Sequence, residues 1–216
     1  MSHLGQTALI TGASSGVGAA TALKLAQLGI NVVVNYNSSL SGAQAVVKNI
    51  TDLGAQAIAV QGDVSQEKDC RRIVEKTIER FGRLDILINN AGTTTFVPHH
   101  DLEGLTEDIW HQTLGVNLMG AFFMCRAAVP YLREAGSGVV VMTSSIASVT
   151  ANGSSIAYCA SKAGMNSLTK TLAKTLGSDG IRVNAVLPGL IDGDWAFNTW
   201  GGGDEGQYGD LKAHFT

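Results

Sequence analysis

Cysteine is scarce and scattered. Only Cys70, Cys125 and Cys159 occur in 216 residues, an odd number with no CxxC spacing. No disulfide framework can be read from them, and they are expected to be reduced packing thiols in a reducing compartment. Charge is thin as well: 15 Lys+Arg stand against 18 Asp+Glu, a net of −3, with no basic stripe and no long run of one sign. That argues against nucleic acid and an anionic membrane surface as partners. Long hydrophobic runs are missing despite a mean hydropathy of +0.15. The longest are strand-sized, short of the roughly 20 residues of a membrane helix. Residues 1–6 lack a charged segment followed by an apolar one, so no signal peptide is visible. The expectation is a soluble, cytoplasmic protein with residues 1–216 in a single domain.

What the chain does carry is alternation. Runs rich in Val, Ile and Leu fall at 7–11, 31–35, 56–60, 84–89, 139–143 and 182–187. Several are continuously apolar, the mark of strands covered on both faces. Between them lie segments of helical periodicity at 16–28, 40–53, 66–81, 107–132 and 155–176, the fourth with a break expected near Gly115. This predicts right-handed βαβ units in one doubly wound parallel sheet, an α/β fold of three layers. No internal repeat interrupts it. The tail stretch Trp200-Gly201-Gly202-Gly203-Asp204-Glu205-Gly206 predicts a flexible loop.

Thr11-Gly12-Ala13-Ser14-Ser15-Gly16-Val17-Gly18 ends the first run and opens the first helix. Glycines at such a junction allow a tight turn and a close approach by a pyrophosphate, and the helix N-terminus offers it free N–H groups. Alone, a GxxxGxG cluster is equally an ordinary strand–helix turn. Its place after the first strand of a full alternating pattern points to a dinucleotide. About 20 residues further on, an Asp or Glu would bind the ribose 2′-hydroxyl of NAD. Here the chain reads Val34-Asn35-Tyr36-Asn37-Ser38-Ser39, with no acid to repel a 2′-phosphate and no arginine to neutralise one. Ser15 stands in the glycine loop where a basic residue would help. Asn37 and Ser38 can hydrogen-bond a phosphate, so NADP(H) is favoured modestly, with NAD(H) also open.

Tyr158 and Lys162 sit four apart in a helical segment and share a face. Thirteen residues before Tyr158, Ser145 stands just past a buried strand, at the sheet edge where ligands bind. Reducing a carbonyl takes a hydride and a proton. A phenol of ordinary pKa near 10 is a poor base at neutral pH, and a nearby ammonium favours its phenolate. Ser145 can hydrogen-bond the carbonyl oxygen. Tyr-x-x-x-Lys alone would be a partly exposed helix face; Ser145 at its strand end makes it a site.

With these residues in view, the sequence resembles the short-chain dehydrogenase/reductase family over nearly its whole length, and in particular members that are 3-oxoacyl-acyl-carrier-protein reductase-like or glucose dehydrogenase-like. The matches are the Thr11–Gly18 loop, Asp63-Val64, Asn89-Asn90-Ala91-Gly92, Asn117, Ser145, Tyr158-Cys159-Ala160-Ser161-Lys162 and Pro188-Gly189. The resemblance implies a Rossmann-type fold. It also implies that Asp63 and Val64 cradle the adenine, that Asn90, Ala91 and Gly92 pass beneath the cofactor, and that Pro188, Gly189 and Ile191 belong to the cofactor-binding residues. Asn35 and Tyr36 are counted with Asn37 and Ser38 at the adenosine end, and Tyr158 with Lys162 against the nicotinamide ribose. Asn117 would hold a water that links Lys162 to solvent. Homotetramers or homodimers built on paired long helices are implied, with Ala127, Ala128, Ala160, Ala163 and Gly164 permitting close contact.

His99 and His100 invite a metal reading, but adjacent histidines point apart on an extended chain and no partner cluster is evident; no metal is expected. Cys159 is expected to pack, and Met119, Phe122, Phe123 and Met124 to face core or a subunit interface. Two departures from the family matter. Five residues past Pro188, where a threonine usually bonds the nicotinamide carboxamide, stands Gly193, with Asp194 or a backbone group as its substitute. The chain also stops inside what resembles a substrate lid, 195–216, and an incomplete record lacking a final helix and strand is the expectation. The leading reading is an oxidoreductase interconverting a carbonyl and a secondary alcohol of a small molecule, either a 3-oxoacyl thioester or a polyol. The alternative is a catalytically impaired dinucleotide-binding protein acting as a redox sensor or scaffold. Specificity is expected from the loops at 93–100, 146–155 and 189–216.

Overall fold

The Val- and Ile-rich runs form six strands: β1 (Thr7–Ile10), β2 (Asn31–Tyr36), β3 (Ala57–Gln61), β4 (Ile86–Asn89), β5 (Val139–Thr143) and β6 (Arg182–Val186). They belong to a computed structural model that describes residues 3–193 together with Phe197 and Thr199. The strands pair in parallel in the order β3-β2-β1-β4-β5-β6. The first three step outward on one side of β1, and the chain then returns to its other side. That reversal opens a crevice at the carboxyl ends of β1 and β4, the place where open α/β sheets bind ligands.

Both sheet faces are covered, which is why the strands read as unbroken apolar runs. On one face Ala8, Ile10, Val32 and Val34 pack with Ala22 and Ala26 of α1 (Gly16–Gln27) and Ala43, Val46 and Ile50 of α2 (Leu40–Asp52). On the other, Leu9, Val33, Leu87 and Val140 meet Ile73 and Val74 of α3 (Glu67–Phe81). The expected fourth helix is one continuous run in three windings: α4 (Glu107–Leu114), a π-helical stretch Gly115–Gly120, and α5 (Ala121–Glu134). The break expected at Gly115 is thus a change of pitch, not an interruption. By length and composition Glu107–Glu134 would pass for a membrane span. Its Met124, Cys125, Ala128 and Leu132 instead lie in the core beneath the sheet.

A four-residue helix, α6 (Ala147–Thr150), follows β5 within a stretch that reads as loop. Then comes the longest helix, α7 (Ile156–Leu176), started by Ser155, whose hydroxyl accepts the Tyr158 N–H at 3.2 Å. The three cysteines are buried and unpaired, and desolvation pushes the Cys70 and Cys125 thiols up to about 12. They are inert packing groups. Asp194 and the expected 200–206 loop lie outside the described residues.

Candidate active site

At the phosphate end, Gly12 and Gly16 adopt φ of +60° and +54°, a conformation side chains disfavour. Ser15 precedes α1 without capping it through its side chain, so the first N–H groups of the helix point into the crevice unclaimed. Gly18 is there for packing. A Cβ on it would stand 2.5 Å from the Gly12 carbonyl oxygen and 2.6 Å from Asn90 Nδ2. Asn90 fixes the loop: its Nδ2 donates to the Thr11 and Gly12 carbonyls at 3.0 and 3.1 Å, while Thr11 Oγ1 accepts the N–H groups of Asn90 and Ala91. Gly18→Ala is therefore expected to push the loop off Asn90. A dinucleotide titration should show affinity reduced at least about tenfold, together with a lower unfolding temperature, as for other overpacking substitutions of about 1–3 kcal/mol.

Asn35 is buried at the end of β2. Its Oδ1 accepts the Gly12 N–H at 3.3 Å, and its Nδ2 donates to the Val60 and Gly62 carbonyls at 3.2 and 3.1 Å. It lines the crevice, yet its amide is spent tying the glycine loop to β3. Tyr36 is not brought to the crevice; it is buried against the α2 side of the sheet. Asn37 and Ser38, past the end of β2, do line it, beside Ser14 and Ser15. Asp63 and Val64 line it too, with Asp63 Oδ1 accepting the Ser65 N–H at 2.9 Å and Val64 packed against Gly120 of the π stretch.

At the other end, β5 delivers Ser145 and α7 delivers Tyr158 and Lys162. Lys162 is almost wholly buried. Its Nζ donates to the Thr143 carbonyl at 2.7 Å and lies 5.7 Å from the Tyr158 ring centroid. Desolvation lowers its pKa to about 8, so it is still cationic at neutral pH. The Tyr158 phenol is pushed up by burial, an effect that a hydrogen bond from Ser145 partly offsets. The sequence leads one to expect the ammonium to dominate. Among the protein's own groups burial outweighs it, because the phenol sits in the low-dielectric floor of the site. Ser145 Oγ also accepts the Ala147 N–H at 3.1 Å, and Ser144 Oγ donates to the Lys162 carbonyl at 3.2 Å, locking β5 to α7.

Asn117 is fully buried in the π stretch, beneath the crevice rather than on its wall. Its Oδ1 accepts the Thr93 N–H at 2.8 Å, and its Nδ2 donates to the Thr93 carbonyl and to Ser161 Oγ. A Cβ on Gly92 would lie 3.5 Å from Asn117 Oδ1 and 3.6 Å from Lys162 Nζ, so the glycine leaves a gap where the two converge.

These ends belong to one cleft of about 1320 Å³ running from Ser38 past Asn90, Ala91 and Gly92 to Tyr158, Pro188, Gly189, Ile191 and Gly193. Its length, its glycine floor and its uncapped helix N-terminus fit a dinucleotide. The expectation for Met119 needs correction: it is half-exposed and lines the cleft. It stands one residue before Gly120, where the π winding turns that face outward. Ala127 and Ala128 are buried in the core, leaving Ala160 and Ala163 as the exposed small residues of the set. The loops expected at 93–100 and 146–155 meet in a rim formed by 94–99 and 153–154, although the sequence does not show how they are joined. There Val97 N–H donates to the Ser154 carbonyl at 2.9 Å, Thr94 and Ser154 hydroxyls pair, and His99 Nε2 bonds the Gly153 carbonyl at 3.0 Å.

The short chain dehydrogenase family matches residues 6–200. The 3-oxoacyl-[acyl-carrier-protein] reductase of a Synechocystis species is 41% identical over 195 residues, 89% of this chain and 77% of that protein. The L-rhamnose 1-dehydrogenase (NAD(P)(+)) of a Sphingomonas species is 41% identical over 188 residues, 87% of this chain and 73% of its own. A crystal structure from Burkholderia xenovorans, assigned to the short-chain dehydrogenases/reductases, superposes with a TM-score of 0.85 at 42% identity, covering 87% of this chain and 78% of that one. The chain belongs to the short-chain dehydrogenase family and is an NAD(P)-dependent oxidoreductase.

Proposed function

We propose that the chain interconverts a carbonyl and a secondary alcohol, with Tyr158 as the general acid and base. One observation carries this reading: Tyr158, Ser145 and Lys162 meet at the carboxyl edge of the sheet, in the same cleft as the glycine loop. Bound dinucleotide supplies the hydride in reduction and accepts it in oxidation. Ser145 donates a hydrogen bond to the carbonyl oxygen and steadies the charge that builds there. Tyr158, which burial keeps protonated at neutral pH, delivers the proton in reduction and takes it back in oxidation. Lys162 holds a positive charge near the ring, favouring the phenolate left behind, and would bind the nicotinamide ribose. Asn117 fastens Thr93, past the end of β4, to α7, and a water held in the gap at Gly92 would link Lys162 to solvent.

NADP(H) is the favoured cofactor: Asn37 and Ser38 line the adenosine end, and no carboxylate stands at the tip of β2 to oppose a 2′-phosphate. NAD(H) is the second choice. The substrate is a small carbonyl compound or alcohol, in the range spanned by a 3-oxoacyl thioester and a sugar. A cytoplasmic homotetramer or homodimer completes the reading, formed through the face that carries Phe122 on α5 and Ala160 and Ala163 on α7.

Fluorescence titration with NADPH and NADH, followed by a panel of ketones and alcohols, tests it. Tighter binding of NADPH with turnover of a ketone is the expected result. Preference for NADH overturns the part assigned to Asn37 and Ser38 and leaves the chemistry standing. Binding without any turnover would favour the sensor or scaffold alternative.

A further inference from the structure

The wall of the cleft beside Tyr158 is unusually well fixed. α6 ends at Ala151, which closes the turn by donating its N–H to the Ala147 carbonyl at 3.1 Å. Ala151 has φ +54°, the one non-glycine residue with positive φ among those described. Such a backbone costs on the order of 1 kcal/mol. Here it turns the chain back over the cleft. Gly153 then presses on the site: a Cβ there would lie 3.3 Å from Tyr158 Cδ1 and 3.0 Å from Cys159 Sγ and from Ala147 Cβ. From outside, His99 on the Gly153 carbonyl, Thr94 on the Ser154 hydroxyl and Val97 on the Ser154 carbonyl hold the segment in place.

Between the strained turn and the packed glycine stands Asn152. Its backbone N–H is taken by Thr150 Oγ1 at 3.3 Å. Its side chain is exposed and lines the cleft, and among the described residues its amide has no hydrogen-bond partner. Asn35, Asn90 and Asn117 all spend their amides on backbone groups. Asn152, one residue from the glycine that touches the Tyr158 ring, does not. The residues next to it in sequence that also line the cleft, Ile146, Ala147, Thr150, Gly153 and Ser154, carry no charge.

We propose that Asn152 is a specificity-determining residue that hydrogen-bonds a second, uncharged oxygen on the substrate, near the carbonyl that Tyr158 protonates. The preferred substrates are neutral ketones carrying an ester, thioester or hydroxyl oxygen within a few bonds of the reacting carbon, rather than plain alkyl ketones. The turn at Ala151 and the struts from Thr94, Val97 and His99 fix the backbone on either side of Asn152 before substrate arrives, so only its side chain has to be ordered on binding. The proposal rests on the reading of Tyr158 above.

The test compares ethyl 3-oxobutanoate with 2-heptanone, which has the same seven-atom chain without the ester oxygens, using the full chain and NADPH. In the parent, kcat/KM should favour the oxo ester. In Asn152→Leu the ratio of the two kcat/KM values should fall about tenfold, the worth of one lost hydrogen bond to a buried ligand, through KM of the oxo ester. Asn152→Asp keeps the size but loses the donor and adds a charge facing the ester oxygens, so its ratio should fall at least as far. Unfolding temperatures of both variants show whether the loop has held. A ratio unmoved by either substitution, or equal losses on both ketones, overturns the proposal while the reading of Tyr158 stands. A parent that binds NADPH and reduces neither ketone overturns both.

Discussion

Replacing Tyr158 with phenylalanine should lower kcat by a factor of about 10²–10⁴, the usual contribution of a positioned proton donor, while dinucleotide binding is retained. The ring is buried between Gly153 and Lys162, and phenylalanine fills the same space, so the fold should hold. What disappears is a hydroxyl that hydrogen-bonds Ser145, on a ring that lies beside a buried ammonium. Ser145 cannot replace it, because an aliphatic hydroxyl is a far weaker acid than a phenol and gives up its proton much less readily. Steady-state kinetics on any ketone the parent reduces, paired with an NADPH titration, separate chemistry from binding. Unchanged turnover would show that the proton comes from elsewhere.

Lys162→Met should produce opposite effects on activity and stability. Turnover should fall on the order of 10²-fold, since the charge that favours the phenolate is gone. The fold, however, should gain. Lys162 has a pKa of about 8 in place of the ordinary 10.5 because burial disfavours its charged form. A drop of that size means burying the cation costs about 3 kcal/mol at neutral pH, at 1.36 kcal/mol per pKa unit. The bond to the Thr143 carbonyl is charge-assisted, and because Lys162→Met leaves that carbonyl without this donor, its loss takes back about 2 kcal/mol. A net gain of roughly 1 kcal/mol is expected, a rise of a few degrees in the unfolding temperature at pH 7. The pH dependence fixes the cause. The folded-state pKa lies below the unfolded one, so between about pH 8 and 10.5 unfolding takes up a proton and the parent gains stability as pH rises. The advantage of Lys162→Met should be full below about pH 8 and fade above it. Thermal unfolding of both proteins at pH 7 and at pH 9.5 checks this, and a gap independent of pH would rule out the buried charge as its source.

The sheet was legible because its physical cause is local. Short, β-branched apolar runs such as Val32-Val33-Val34 read as strands covered on both faces, and their spacing by helical segments leaves a parallel order. Tyr158, Lys162 and Ser145 were legible for the same reason: a four-residue helical spacing and a strand end place them without knowledge of the rest. Other features depend on contacts far apart in sequence. Asn35 reads as a cofactor ligand by position, yet three backbone groups from two other segments claim its amide. Tyr36 follows the pleat of β2 into the core. Gly115 signals a break, but only the packing of Gly120 on Val64 and of Asn117 on Thr93 and Ser161 makes the helix rewind there without stopping. The upward push on Tyr158 depends on how deeply it is buried, which no spacing reveals. Ala151 is plain in sequence, and its strained turn is imposed by what lies on either side.

The most direct test of the central claim follows the hydride itself. The protein would be incubated with NADPH, and separately NADH, deuterated at the transferable position of the nicotinamide, together with a reducible ketone. Deuterium found on the carbinol carbon of the product alcohol is the predicted result, as the proposed direct transfer beside Tyr158 requires. Alcohol without label on that carbon, or loss of label to water, would contradict direct transfer between the two and with it this account of the site.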